Sequence, residues 1–341
     1  MGMLDEAATP QHDTTAVLDR ALGALLGQAA GDALGTTVEF RSRQAIAERY
    51  PRGLREIGGG GPFSVEPGQV TDDTELALAL ARSLAGRGRY DPDEVAAGYV
   101  RWLRSDPFDI GGTTRCAFPA GICSSNSALA AVLESAANPS SQANGSLMRI
   151  SPLGVFGWRL GARELATLAA RDSRLSHPHP LCQAACAVFA CAVGFAVRTG
   201  ASATEVYGEA LRIAREEPLA APALTALESA AEAAPADFQA KMGWVRIALQ
   251  NAFHQLLRSK SLEEAVVATV APGGDTDTNA CIAGALAGAV HGARAIPERW
   301  SERVLSCRTA RPPEYWCVDL PELARRLCSP APADVGNEAR R

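Results

Sequence analysis

The sequence predicts an all-α fold, a compact orthogonal bundle of ten or more helices joined by short connections. Alanine, leucine, glycine and valine dominate the chain, and aromatic residues make up only 6% of it. Runs that alternate Val, Ile, Thr or Tyr with polar residues are nearly absent, whereas apolar residues recur at helical spacing, as at Leu76, Leu80 and Leu84. Many glycines and alanines lie within the helical segments, and small residues let helix axes approach closely. We therefore expect tight helix packing around a buried site.

Length and net charge limit the classes of protein to which this chain can belong. The 341 residues are 47% hydrophobic, which is enough for one large core or two small ones. A net charge of -5 argues against a mainly electrostatic nucleic-acid binder. No apolar run approaches the roughly 20 residues of a membrane helix, and the polar N-terminus does not resemble a secretory signal. We expect a cytoplasmic protein without a membrane partner.

The chain is interpreted as one domain, residues 18–328, between a polar extension at 1–17 and a polar tail at 329–341. Three stretches within it have loop composition. They are glycine-rich residues 58–62, the Ser-, Asn- and Ala-rich segment 123–142, and the Ala- and Pro-rich segment 216–237, which we expect to hold a short helix. None of them marks a convincing domain boundary.

The first acidic cluster is Thr71-Asp72-Asp73-Thr74, directly before an apolar helical segment. Threonine or aspartate at this place is a good helix cap, and the helix dipole favours carboxylates there. Capping needs only one such residue, whereas two adjacent aspartates and a hydroxyl suit a hard cation such as Mg²⁺, Mn²⁺ or Ca²⁺. Taken alone, this cluster is compatible with either role.

The second cluster is Asp275-Thr276-Asp277-Thr278, which follows two glycines and opens a helix of small residues. Two such clusters, far apart in the chain, are hard to explain as two coincidental caps. Together they supply more carboxylates than one divalent ion needs. The simplest interpretation is a two-metal site, with ions about 3.5–4 Å apart that share a bridging carboxylate.

Other segments carry further candidates, each with an ordinary alternative. Glu39 lies in an apolar setting, where a carboxylate is costly unless it is paired or binds a ligand; the alternative is a surface salt bridge. Residues 109–115 and 144–149 combine glycines with hydroxyl, amide and cationic donors, which suit phosphate or ribose oxygens but also occur in plain turns. His177 is a candidate ligand contact or a loop histidine bonded to the backbone.

The ordered motifs resemble one known family. From about Leu18 to Trp300 the chain contains GDALGTTVEF, GQVTDDTELAL, DIGGTTR, NGSLMR, SHPH and GGDTDTNACIAGALAGAVHG. This set is similar to the ADP-ribosylglycohydrolase family, and most similar to its dinitrogenase reductase-activating branch. The paired TDDT and GGDTDT motifs at this spacing are highly specific.

The resemblance implies an all-α fold with two Mg²⁺ or Mn²⁺ ions at the bottom of a cleft. It implies hydrolysis of the bond between ADP-ribose and an acceptor, often a protein arginine, so the partners would be an ADP-ribosylated protein as substrate and ADP-ribose as product. The implied metal ligands are Thr71, Asp72, Asp73, Asp275, Asp277 and Thr278. The implied substrate contacts are Gly111, Thr113, Asn144, Gly145, Ser146, Met148, Arg149, His177 and Trp244.

Glu39 and Asp109 match the implied catalytic carboxylates. Glu39 would activate water or assist proton transfer, and Asp109 would hold or protonate the departing guanidine. Gly112 departs from the pattern, because relatives linked to nitrogenase carry a polar residue there. The acceptor therefore stays open. So does a role as an immunity protein that uses the polar N-terminal arm to neutralise an ADP-ribosyltransferase toxin, or as the partner of a signalling protein.

Overall fold

Sixteen α-helices build the described part of the protein. The computed structural model describes residues 13–124 and 128–329. The helices are α1 (Thr14–Gly35), α2 (Arg43–Arg49), α3 (Asp72–Arg87), α4 (Pro92–Arg104), α5 (Gly112–Ala117), α6 (Leu129–Ala136), α7 (Ser151–Phe156), α8 (Ala162–Arg174), α9 (Pro180–Thr199), α10 (Ala203–Glu216), α11 (Leu224–Glu232), α12 (Val245–Arg258), α13 (Leu262–Val270), α14 (Thr276–His291), α15 (Glu298–Ser306) and α16 (Leu320–Cys328). Short 3₁₀ turns lie at Thr36–Val38, Phe118–Gly121, Gly157–Arg159, Ala221–Ala223, Ala293–Ala295, Pro313–Tyr315 and Cys317–Asp319. Within the described ranges, β pairing is limited to three isolated bridges, so the all-α prediction is confirmed.

The antiparallel pair α1 and α14 forms the centre of the fold. Four glycines spaced four residues apart face α14 from α1, at Gly23, Gly27, Gly31 and Gly35. A Cβ atom on any of them would lie only 2.1–2.4 Å from a backbone oxygen of α14. The two helix backbones are therefore in direct contact along their whole shared length, which only residues without side chains permit.

This contact determines which ends of the two helices lie side by side. Because the helices are antiparallel, the C-terminal end of α1 lies beside the N-terminal end of α14. The hydroxyl of Thr276 donates a hydrogen bond of 2.7 Å to the carbonyl of Gly35, which joins the two ends. Asp32 and the segment that leads to Glu39 are thereby placed next to Asp277.

Helix α9 lies in the interior beside this pair and packs against α1, α7, α8, α10 and α14. It has the length and apolar composition of a membrane span. The expectation that no apolar run approaches 20 residues is therefore wrong for this helix. In the structure, however, 78% of its apolar window is buried against the rest of the protein. A core helix passes the same test of length and composition, and its neighbours account for its apolar surface.

The observed helices differ in part from the segment bounds expected from the sequence. The segment 123–142, expected as a loop, contains α6, while its residues 125–127 lie outside the described part. The short helix expected within 216–237 is confirmed as α11. Residues 14–17, assigned to the polar extension, belong to α1, and the guanidinium of Arg20 donates two hydrogen bonds, of 3.0 and 2.8 Å, to the carbonyl of Val197. Residues 1–12 and the tail beyond Ser329 lie outside the described residues.

The glycine contact predicts a large difference between two Gly→Ala substitutions. Gly27→Ala places a methyl group 2.3 Å from the carbonyl oxygen of Gly284, so the two backbones must separate, and we expect a loss of about 3 kcal/mol in unfolding free energy. Gly208→Ala is the matched control, because residue 208 lies within a helix with no atom inside 4 Å of the added carbon. It should gain about 0.5–1 kcal/mol. Urea unfolding followed by circular dichroism measures both, and equal effects would contradict the close packing.

Candidate functional site

Two helix N-termini carry the acidic clusters to one cleft. Helix α3 begins at Asp72 after Thr71, and α14 begins at Thr276 after Asp275. Neither Thr71 nor Asp275 caps its helix with its side chain. Asp72, Asp73, Asp275 and Asp277 all line the same cleft, together with Thr278. The two clusters lie far apart in the sequence and are neighbours in the structure, and simple capping does not explain them.

Asp32 of α1 supplies the cap that α3 lacks. Its carboxylate accepts hydrogen bonds from the backbone N–H of Thr71 at 3.2 Å and of Thr74 at 3.1 Å. The hydroxyl of Thr71 lies 3.1 Å from Asp32 and 3.2 Å from Asp73, so it links the two carboxylates behind the cleft. Sequence analysis gave Asp32 no role. The sequence did contain a signal for such a role, because Asp32 lies between Gly31 and Gly35 in a close-packed helix, where an unpaired carboxylate is costly.

Three carboxylates come within cation-binding range of one another. One oxygen each of Glu39, Asp109 and Asp277 lie within 4.8 Å of each other. Oε2 of Glu39 and Oδ1 of Asp73 are buried and have no hydrogen-bond partner. Buried carboxylate oxygens without donors are rare in native proteins. Such oxygens fit hard divalent cations, which take oxygen ligands.

Burial and mutual repulsion raise the pKa values of this cluster. Desolvation, and then the charges of Asp109 and Asp275, raise the pKa of Glu39 to about 8. Desolvation also raises the pKa of Asp109 to about 6, with Asp275 adding to the rise. The pKa values of Asp72, Asp73 and Asp277 lie well above the ordinary range for the same two reasons. Full ionisation at neutral pH thus requires a compensating positive charge.

Hydrogen-bond donors form the other side of the cleft. The amide of Asn144 donates to Oδ2 of Asp275 at 2.7 Å, and the backbone N–H of Gly111 donates to Oδ2 of Asp72 at 3.2 Å. His177 completes this wall, close to Gly145. The cleft has a volume of about 550 Å³, within the range of small-molecule and cofactor sites.

Most of the residues predicted from sequence line this cleft. They are Glu39, Asp72, Asp73, Asp109, Gly111, Thr113, Asn144, Gly145, Met148, His177, Asp275, Asp277 and Thr278. Four predicted residues are not brought to the cleft surface. Thr71 lies behind it, and Ser146 is buried, with its hydroxyl oxygen 2.9 Å from the hydroxyl oxygen of Ser173.

Arg149 and Trp244 are the other two predicted residues that do not reach the cleft surface. The Arg149 guanidinium is fully buried and pairs with Asp172 at 3.2 Å, so it is not free to meet a ligand phosphate. The indole N–H of Trp244 donates to Gln142 at 2.9 Å, and its ring packs below the ammonium of Lys241. Both side chains support segments that reach the cleft.

Some apolar side chains at the cleft were not predicted, and Phe40 and Met242 are the most exposed of the large ones. Their exposed fractions are 57% and 50%. Phe40 adopts a left-handed backbone conformation with φ of 62°, and its N–H donates to the carbonyl of Gly274 at 2.8 Å. Its only sequence signal was its place beside Glu39.

Comparison with known proteins agrees with this geometry. Residues 13–333 match the family model described as ADP-ribosylglycohydrolase. The chain belongs to the ADP-ribosylglycohydrolase family. The family is metal-dependent, and the acidic cluster described above fits that property.

Several members of the family resemble this chain over most of its length. It is 34% identical to the ADP-ribosyl-[dinitrogen reductase] glycohydrolase of Rhodospirillum rubrum, over 84% of this chain and 91% of that protein. It is 30% identical to an ADP-ribosylarginine hydrolase of Pseudomonas putida, over 92% and 79%. A solved chain described as an ADP-ribosylglycohydrolase-related protein complex is 32% identical and superposes with a TM-score of 0.75, over 92% of this chain and 98% of that one. The resemblance of the sequence motifs to this family is thus confirmed.

The raised pKa values predict how stability depends on pH in the cation-free protein. An unfolded glutamate ionises near pH 4.3, whereas Glu39 in the folded state has a pKa of about 8. Between about pH 6.5 and 8 the folded state therefore holds a proton that the unfolded state has lost. The unfolding free energy should fall as pH rises, by up to about 1.4 kcal/mol per pH unit for each such proton.

Urea unfolding in chelator from pH 6.5 to 8.5 measures this slope. Glu39→Gln should flatten the slope, and millimolar Mg²⁺ should restore stability at the alkaline end. The surface variant Asp237→Asn, half-exposed beside Lys241, is the control and should keep the wild-type slope. A wild-type stability that rises across this window would show that the cluster is not held together as described.

Proposed function

We propose that this protein hydrolyses the glycosidic bond between ADP-ribose and a protein arginine, and that two Mg²⁺ or Mn²⁺ ions serve as its cofactors. The observation that carries the proposal is the convergence of both acidic clusters with Glu39 and Asp109 at one cleft. Family membership supports the reaction class. Relatives named for ADP-ribosylarginine and for dinitrogen reductase support a modified protein as the substrate.

The two helix starts would hold the cations. Asp72, Asp73, Asp275 and Asp277 supply carboxylate oxygens and Thr278 a hydroxyl, a donor set typical of Mg²⁺ or Mn²⁺ sites. Asp73 has a buried oxygen without a partner and Thr71 braces it from behind, so its orientation is set before any ion binds. Bound cations would neutralise the cluster and orient the vicinal hydroxyls of ribose beside the anomeric carbon.

Glu39 and Asp109 have the positions and environments for proton transfer. Glu39 is buried, and among the described residues one of its oxygens has no hydrogen-bond partner. Once bound cations neutralise the cluster, Glu39 would be ionised and that oxygen could take a proton from water. Asp109 lines the cleft and is only partly buried, so it is accessible from the cleft. There its carboxylate can pair with the guanidine of the acceptor as it leaves.

An arginine acceptor suits the charge of this cleft, because its guanidinium is the cationic group that carboxylates bind best. The acceptor side is also open. Gly112 has no atom within 4 Å of the place where a side chain would begin, so a protein segment can approach Asp109 there.

The toxin-neutralising and signalling alternatives depend on the polar N-terminal arm. Residues 14–17 of that arm are helical, and no observation on the described residues favours either alternative.

The direct test is release of ADP-ribose from an arginine-ADP-ribosylated protein with Mg²⁺, with Mn²⁺ and with chelator. Wild-type protein should release ADP-ribose only when a divalent ion is present. Asp72→Asn and Asp277→Asn should each lower the rate by about 100-fold or more, because each leaves a cation without a ligand. The surface variant Asp237→Asn should match wild type.

Unchanged release by both cleft variants would refute the proposed site. Absence of release from modified arginine, with tight binding of free ADP-ribose retained, would refute arginine as the acceptor and direct the search to other modified side chains.

A further inference from the structure

A buried chain of side chains runs from Arg149 to His177. The guanidinium of Arg149 is fixed on Asp172, donating to its carboxylate at 3.2 Å and to its carbonyl at 3.1 Å. Tyr99 donates to the other carboxylate oxygen at 2.9 Å, and its ring lies 4.4 Å from the guanidinium carbon. The side chains of Arg149 and Asp172 are fully buried. This group is rigid and electrically balanced.

Ser176 connects that group to the imidazole. Nη1 of Arg149 donates to the Ser176 hydroxyl oxygen at 2.8 Å, and the same oxygen lies 2.7 Å from Nδ1 of His177. A guanidinium can only donate, so the hydroxyl must accept from Arg149. Its own proton then has one acceptor among the described residues, which is Nδ1 of His177.

The alternative arrangement leaves a buried group unsatisfied. If Nδ1 carried the proton, the Ser176 oxygen would accept from both neighbours and its O–H would have no partner, although Ser176 is fully buried. An unpaired buried hydroxyl disfavours that tautomer by about tenfold to a hundredfold in population. Nδ1 of His177 is therefore an acceptor, and the ring proton resides on Nε2.

The Nε2 edge of the ring faces the cleft. His177 lines the cleft, and within the described residues no protein atom is hydrogen-bonded to its Nε2. A Cβ atom on residue 145 would lie 3.0 Å from both Nε2 and Cε1, so Gly145 is needed to let the ring edge reach the surface. The main chain of His177 is also fixed, by bonds of 2.6 and 3.0 Å to the carbonyl and hydroxyl of Ser173.

We infer that Ser176, held by Arg149, is a positioning residue that locks His177 as a neutral Nε2–H donor aimed at an oxygen of bound ADP-ribose. Burial and the neighbouring Arg149 charge lower the pKa of His177 to about 3, so the ring stays neutral at physiological pH. His177 then contributes binding through one fixed hydrogen bond and does not exchange protons with the substrate. This assignment gives Arg149 a function although it does not reach the cleft. The ligand named here rests on the proposed function, whereas the tautomer does not.

Nitrogen-15 NMR of the full-length protein, labelled at histidine and without ligand or cation, reads the tautomer directly. The His177 signals are assigned by their loss in His177→Ala. Wild type should show an unprotonated Nδ1 and a protonated Nε2. Ser176→Ala should give a mixture of tautomers, and Ser176→Thr, which keeps the hydroxyl, should restore the wild-type pattern. Ser173→Ala is the matched control, because it removes a buried hydroxyl bonded to the His177 carbonyl and should leave the ring tautomer unchanged.

Kinetics with the arginine-modified substrate supply the second measurement. Ser176→Ala should raise KM about tenfold with kcat changed less than about twofold, because a uniform binding contact is lost, and Ser176→Thr should recover KM. A wild-type proton on Nδ1 overturns the inference, as does a Ser176→Ala variant with unchanged tautomer and KM or with a loss in kcat alone. If wild type releases no ADP-ribose, the proposed reaction fails, while the wild-type NMR spectrum still decides the tautomer.

Discussion

The close contact of α1 with α14 is the constraint on which the rest of the structure depends. Glycines at every fourth position of α1 bring the two backbones together, and the antiparallel arrangement fixes the end at which the acidic residues meet. Asp32 comes from the last turns of α1, and Asp277 from the first turn of α14. Asp32 in turn holds the start of α3 through Thr71 and Thr74. One packing interaction thus places three of the chain segments that form the acidic centre.

The acidic centre opposes folding, and the protein compensates only part of that cost. Helix dipoles and the backbone N–H groups of Thr74 and Gly111 stabilise some of the negative charge. The buried oxygens of Glu39 and Asp73 that lack partners show that the compensation is incomplete within the protein. A site that is unstable when empty and stable with divalent cations binds those cations strongly, because binding relieves the repulsion. The charge that destabilises the empty protein is therefore what equips it to bind metal.

The sequence predicts local features well and long-range connections poorly. Helical periodicity predicts the all-α fold. The meeting of the two acidic clusters is a long-range contact that the sequence does predict, because two such similar clusters are hard to explain as coincidental helix caps. The role of Asp32 was missed because its partners lie 39 and 42 residues away in the chain. Arg149 lies within a donor-rich motif, but its burial against Asp172 depends on the packing of α8, which no local pattern reveals. Phe40 likewise reaches the cleft through a turn whose geometry depends on contact with Gly274.

We propose that the N-termini of α3 and α14 together form one binuclear cation site. Anomalous X-ray diffraction from crystals grown with Mn²⁺ tests it most directly. The account predicts two anomalous peaks about 3.5–4 Å apart, each about 2.0–2.3 Å from carboxylate oxygens, with Asp72 and Asp277 among the ligands. Absence of peaks in this cleft, or ions bound to only one of the two helix starts, would contradict it.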